Sequence, residues 1–139
     1  MLKQSRYNDA DGASRFLSPE AFALFDGRPG ALALYGAFAR ALLAAHPDAE
    51  VRAAKTQISF YGRRMFACAS LSPVRPKALR PEPYLTVSFG LPRALESPRA
   101  LAVPVRPGRW THHVIIGRAE EIDGELMGWV AEARAFAER

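Results

Sequence analysis

An α+β two-layer sandwich is predicted, with a mostly antiparallel sheet of four to five strands and with N-terminal helices and a C-terminal helix packed on one face. Three observations predict it. Apolar residues recur every three or four positions in residues 31–45 and again in residues 122–137. Between these stretches the period changes to two, as where Leu85, Val87 and Phe89 alternate with Tyr84, Thr86 and Ser88. Proline and glycine clusters punctuate the extended runs.

Residues 1–16 show no sustained period and are expected to form a loose arm ahead of a single domain over residues 17–138. Ser18, Pro19 and Glu20 form a helix start: the hydroxyl caps free amides, the proline suits the first turn, and the carboxylate meets the positive dipole end. Phe22 and Phe25 are expected to share a face of this short helix. After Asp26, Gly27, Arg28, Pro29 and Gly30, the positions Ala31, Leu34, Tyr35, Phe38 and Leu42 make the core stripe of an amphipathic helix that ends at Pro47.

Residues 51–61 then read as one strand, or as two shorter ones meeting at a bend near Lys55. In the single-strand reading Thr56, Ile58 and Phe60 face the core, while Lys55, Gln57, Ser59 and Tyr61 form a polar row on the other face. Gly62, Arg63 and Arg64 turn the chain into a hairpin partner over residues 65–71. The prolines at 73, 76, 81 and 83 mark an exposed loop, since each removes a backbone donor and restricts the residue before it. A third alternating strand covers residues 84–89. Residues 101–106 are an edge or extended segment because of Pro104, and residues 110–116 form the last strand. These strands are expected to pair as a meander. In the closing helix Ile122, Leu126, Trp129, Val130, Ala133, Phe136 and Ala137 line one side. Gly124 and Gly128 weaken that helix and allow its start to fall as late as Asp123.

The 139 residues suffice for one domain that buries roughly two-thirds of its unfolded surface. An apolar share of 49% and a charged share of 24% are those of an ordinary globular chain. No run approaches the roughly 18 apolar residues of a membrane span. The N-terminus lacks the apolar stretch of a secretory signal, so a cytoplasmic protein is expected. With Cys68 as the sole cysteine, neither an internal disulfide nor a thiolate metal cage can form within one chain.

The net charge of +5 is unevenly placed: between Arg63 and Arg109 nine basic residues face only Glu82 and Glu96, a local balance of +7 against −2 elsewhere. Such a segment attracts anions, although an arginine-rich composition also follows from GC-rich coding. No phosphate-cradling glycine loop, dinucleotide fingerprint, nucleophile elbow or zinc-type histidine pair occurs, so no cofactor and no metal are expected.

The order of Leu24, Phe25, Asp26 and Gly27, of Leu34 and Tyr35, of residues 55–60, of Phe66 and Ala67, and of Arg109, Trp110, His112 and His113 resembles the small prokaryotic domain-of-unknown-function family 5655. The resemblance spans about residues 17–138. It implies an α+β bacterial domain and does not by itself imply an activity.

The residues themselves point to a non-enzymatic binding module. Lys55, Gln57, Ser59 and Tyr61, with Arg63, Trp110, His112 and His113 as the remaining candidates, would take an anionic small molecule or an acidic protein on an open sheet face. Adjacent strand residues point to opposite faces, so only one of His112 and His113 can join that row. Nucleic acid is a further candidate for the basic segment on its charge distribution alone, and no membrane partner is expected. The alternatives are a small enzyme using Lys55 or His113 as general acid or base, and a structural homodimer that buries the sheet face against its twin.

Overall fold

The structure, a computed structural model, describes residues 12–139. Residues 1–11 of the expected arm lie outside the described residues. Its last residues are packed: a 3-10 turn at Ala13–Arg15 leads to Phe16, which is buried edge-on to Tyr35 and whose carbonyl accepts the Tyr35 hydroxyl at 2.8 Å. A large aromatic ring supplies apolar burial that an unstructured arm would forgo.

Helix α1 (Pro19–Leu24) starts as predicted, with the Ser18 hydroxyl accepting the Ala21 N–H at 3.1 Å. Phe22 and Phe25 do not share a face. The helix stops at Leu24, which takes Phe25 off the helical path and into a stack on Tyr35, while Phe22 remains 49% exposed. Helix α2 (Pro29–Ala45) buries the whole predicted stripe of Ala31, Leu34, Tyr35, Phe38 and Leu42.

The sheet has six strands, one more than the upper expectation. The extra strand arises because residues 51–61 are divided. β1 (Glu50–Ala53) and β2 (Gln57–Tyr61) form a hairpin, and Ala54 N–H donates to the Gln57 carbonyl at 2.8 Å across its turn. β3 (Met65–Ser70), β4 (Leu85–Leu91), β5 (Ala100–Arg106) and β6 (Arg109–Ile116) complete an antiparallel sheet in the order β1-β2-β3-β4-β6-β5. The expected simple meander is therefore interrupted, since β6 inserts between β4 and β5. Pro104 lies on the outermost strand, where a missing N–H is tolerated.

Helix α3 (Gly124–Ala137) begins after Asp123, whose carboxylate accepts the Leu126 N–H at 3.0 Å. Both long helices cover the same sheet face: Phe38 of α2 meets Phe60 edge-on at 5.8 Å, and Trp129 of α3 lies 6.2 Å from Phe89. Ile58, Phe60, Leu85, Val87 and Ile116 are buried beneath them. The chain from residue 63 back to α3 is pinned by Glu138, which accepts the Arg63 N–H at 3.0 Å and an Arg134 N–H at 3.2 Å. Among the described residues no helix is long and apolar enough to cross a membrane.

Candidate functional site on the polar sheet face

The face turned away from the helices is assembled by strand register. Arg52, Ser59, Cys68, Ser88, His113 and Leu101 are successive partners across the six strands, so their side chains form one row on this face. A second row runs through Gln57, Ser70, Thr86 and Ile115. Small hydroxyl and thiol groups therefore fill the middle of the face. Ser88 Oγ and His113 Nδ1 lie 2.7 Å apart, a hydrogen bond whose direction follows the ring tautomer. Gln57 Nε2 donates to Ser59 Oγ at 3.0 Å. Burial lowers the His113 pKa and keeps the imidazole neutral at pH 7. Burial raises the Cys68 pKa, opposed by a hydrogen bond with Ser88, so the thiol stays protonated and unreactive.

The face is only partly open, which corrects the expectation of a bare sheet. Thr86 Oγ1 donates to the Ser72 carbonyl at 2.7 Å, and Arg75 reaches across to the Pro98 carbonyl at 3.3 Å. The proline-rich loop thus crosses the end of the face that holds Thr86, and Thr86 is fully buried. The hydroxyl groups there answer the loop's backbone rather than solvent.

The predicted site residues fall into three groups. Gln57, Ser59, Tyr61 and His113 share the polar face, but Ser59 is only 6% exposed and the Arg52 guanidinium lies 4.0 Å over the Tyr61 ring. Three strand spacings separate Ser59 from His113, about 14 Å, too far for both to hold one small ligand. Lys55 does not belong to the row: it sits exposed in the β1–β2 turn with Thr56, and the expected alternation begins only at Gln57. Arg63 is exposed in the β2–β3 turn.

Trp110 and His112 are on the opposite face. His112 is paired with Phe89, stacked on its ring at 5.5 Å, fully buried, and accepts the Leu95 N–H on Nε2 at 3.0 Å. Trp110 shares its parity and is half-buried. The histidine with a site-like environment is therefore His113, while His112 fastens a loop.

Sequence reasoning missed the part of the face where the sheet opens. Pairing of β3 with β4 stops at Cys68 and Ser88, although β3 continues back to Met65 and β4 forward to Leu91. A bulge beside Phe60 and Tyr61 puts Phe66 on the helix side with Ala67, against the His46 ring and the Arg134 guanidinium. The opening is a slit of about 90 Å³ closed from behind by Ala133, Phe136 and Ala137 of α3.

At its mouth stand Ser88, Thr111 and the half-buried Arg109. The Arg109 guanidinium occupies the space a side chain at position 90 would need, 3.1 Å from where a Cβ on Gly90 would lie, and rests 5.7 Å over the Phe136 ring. Arg52, Arg93, Arg99 and Arg134 are each paired with a carboxylate, whereas Arg109 has no carboxylate in ion-pair range among the described residues.

A larger cleft of about 1050 Å³ lies between the start of α2 and the proline-rich loop, with Arg28, Lys77, Arg80 and Glu82 on its walls. Arg28, Lys77 and Glu82 are solvent-exposed, and Arg80 is engaged with the Arg75 carbonyl and the Tyr84 ring. The charged groups on its walls are therefore either solvated or already engaged within the protein. Among the described residues no group of three or more histidine, cysteine and acidic side chains could hold a metal ion.

Fold and site together define a small α+β domain with a helix-covered face and a polar face that opens beside an unpaired arginine. The chain belongs to the family described as Domain of unknown function (DUF5655), whose profile matches residues 22–137. No curated protein and no solved structure matches it.

Proposed function

We propose that the protein is a non-enzymatic binding module of the cytoplasm that takes an anionic ligand on its polar sheet face, at Arg109. The observation that carries this reading is the half-buried Arg109 guanidinium, left without a carboxylate beside the hydroxyls of Thr111 and Ser88. A planar fork of N–H donors held partly out of water is suited to a carboxylate or other oxyanion, and its position in the basic segment draws such ligands in. Gln57 and Tyr61 flank the face farther out, where an acidic protein segment would lie if it extended beyond the slit.

Sulfate or acetate is expected to raise the melting temperature by mass action, and Arg109→Gln to remove most of that shift. Arg106→Gln, in the neighbouring exposed hairpin, should leave it intact. An anion-dependent shift that survives Arg109→Gln overturns the assignment.

The Ser88–His113 contact favours a second reading, acid–base chemistry by a neutral imidazole. Cleavage of p-nitrophenyl acetate that disappears with both Ser88→Ala and His113→Gln would favour it over binding alone.

A further inference from the structure

We infer that the ligand is a short-chain carboxylate, with its head group on Arg109 and an apolar tail of about three carbons in the slit between β3 and β4; this rests on the anion-binding reading of the same site. The slit joins two chemistries. Its mouth carries the guanidinium and the hydroxyls of Thr111 and Ser88, while its walls are Phe66, Phe89, Ala133 and Phe136. An inorganic anion would use the mouth and leave the walls wet. A sugar or nucleotide would bring hydroxyls against walls that offer no partners, which is costly. The slit, at about 90 Å³, is smaller than the ~150 Å³ cavity known to take benzene, which favours a short chain over an aromatic tail. A linear or once-branched chain of three carbons beyond the carboxylate fits.

Gly90 is part of the device. Because it has no side chain, the Arg109 guanidinium can settle close over the strand at Gly90 and over the Phe136 ring, in the same opening as Thr111. The cation thus lines the same opening as the apolar walls. A carboxylate bound there is held as a bidentate pair while its alkyl tail descends between the strands.

The test is a titration series of acetate, propionate, butyrate and hexanoate, with sulfate and 1-butanol alongside, followed by calorimetry on the whole protein. Affinity is expected to rise about fourfold for each methylene from acetate to butyrate and to stop rising by hexanoate. Butanol, lacking the charge, should not displace butyrate. Ala137→Leu at the back of the slit should flatten the series, and should that variant fail to fold, the chain-length series on the unaltered protein decides alone. If acetate and sulfate bind through Arg109 but affinity is flat with chain length, the tail assignment is overturned and the anion reading stands. If no anion binds, both fall.

Discussion

Phe38→Ala is expected to cost roughly 3–5 kcal/mol and to lower the melting temperature by about 10–20 °C. Phe38 is fully buried at the centre of the helical layer, with its ring edge-on to Phe60 at 5.8 Å and its helix neighbours Leu34, Tyr35 and Leu42 also buried. Truncation leaves a cavity that helix and sheet cannot both close, since the sheet is fixed by its ladder and α2 by the turns at either end. Domains of this size are stable by only about 5–15 kcal/mol, so the loss is a large fraction of the total. Phe22→Ala serves as the control: at 49% exposure on the short α1, its loss should change stability by less than about 0.5 kcal/mol. Chemical denaturation of the two variants checks the pair, and equal midpoints would contradict the assigned core.

Acid should destabilise the fold in two stages. His46, His112 and His113 all have pKa values below the usual histidine range, chiefly through burial, reinforced at His46 by Arg134 and at His112 by Arg93. Hydrogen bonding fixes two of these rings as neutral acceptors: His112 Nε2 takes the Leu95 N–H, and His46 Nδ1 lies 3.2 Å from the Arg134 guanidinium. Below about pH 6.5 the unfolded chain takes up protons that the folded chain refuses, so stability falls as pH falls until each folded pKa is reached. The slope can approach about 1.4 kcal/mol per pH unit for each histidine.

Asp48, Asp123 and Glu138 act in the same direction lower down. The Arg134 guanidinium lowers the Asp48 pKa, the Leu126 and Arg63 backbone N–H groups lower those of Asp123 and Glu138, and the stability these carboxylates contribute is lost on further acidification. Melting temperatures should be level above pH 7 and drop between pH 6.5 and 5. A curve that is flat down to pH 5 would contradict the buried, neutral histidines.

Much of this fold is legible in the chain because its signals are local. The stripe from Ala31 to Leu42 and the alternation from Leu85 to Phe89 each require a particular face to be buried, and Pro104 requires an edge. The β1–β2 turn is poorly marked because Ala54, Lys55 and Thr56 include no glycine, asparagine or proline, so alternation runs past it in the sequence while the backbone reverses. The one available signal was length, since eleven residues exceed the usual strand.

The site was less legible for a different reason. Cys68, Ser88 and His113 are brought into one row by pairings between segments far apart in sequence, and β6 meets β4 only because the chain first runs out to β5 at the edge and then returns between the two. Local pattern can say that His112 and His113 oppose one another. Register alone says that His113 meets Ser88 while His112 disappears beneath the helices. The slit beside Arg109 depends on where two strands stop pairing, which leaves no trace in composition or period.

The central claim, that Arg109 on the polar sheet face receives an anion, is tested most directly by following backbone amide and arginine side-chain resonances of the isotope-labelled protein during a butyrate titration. The account predicts saturable shifts confined to Cys68, Ser88, Gly90, Arg109, Thr111 and His113, lost together with Arg109→Gln. Shifts centred instead on Gly30, Ala31 and Lys77 in the larger cleft, or no saturable shift anywhere, would contradict it.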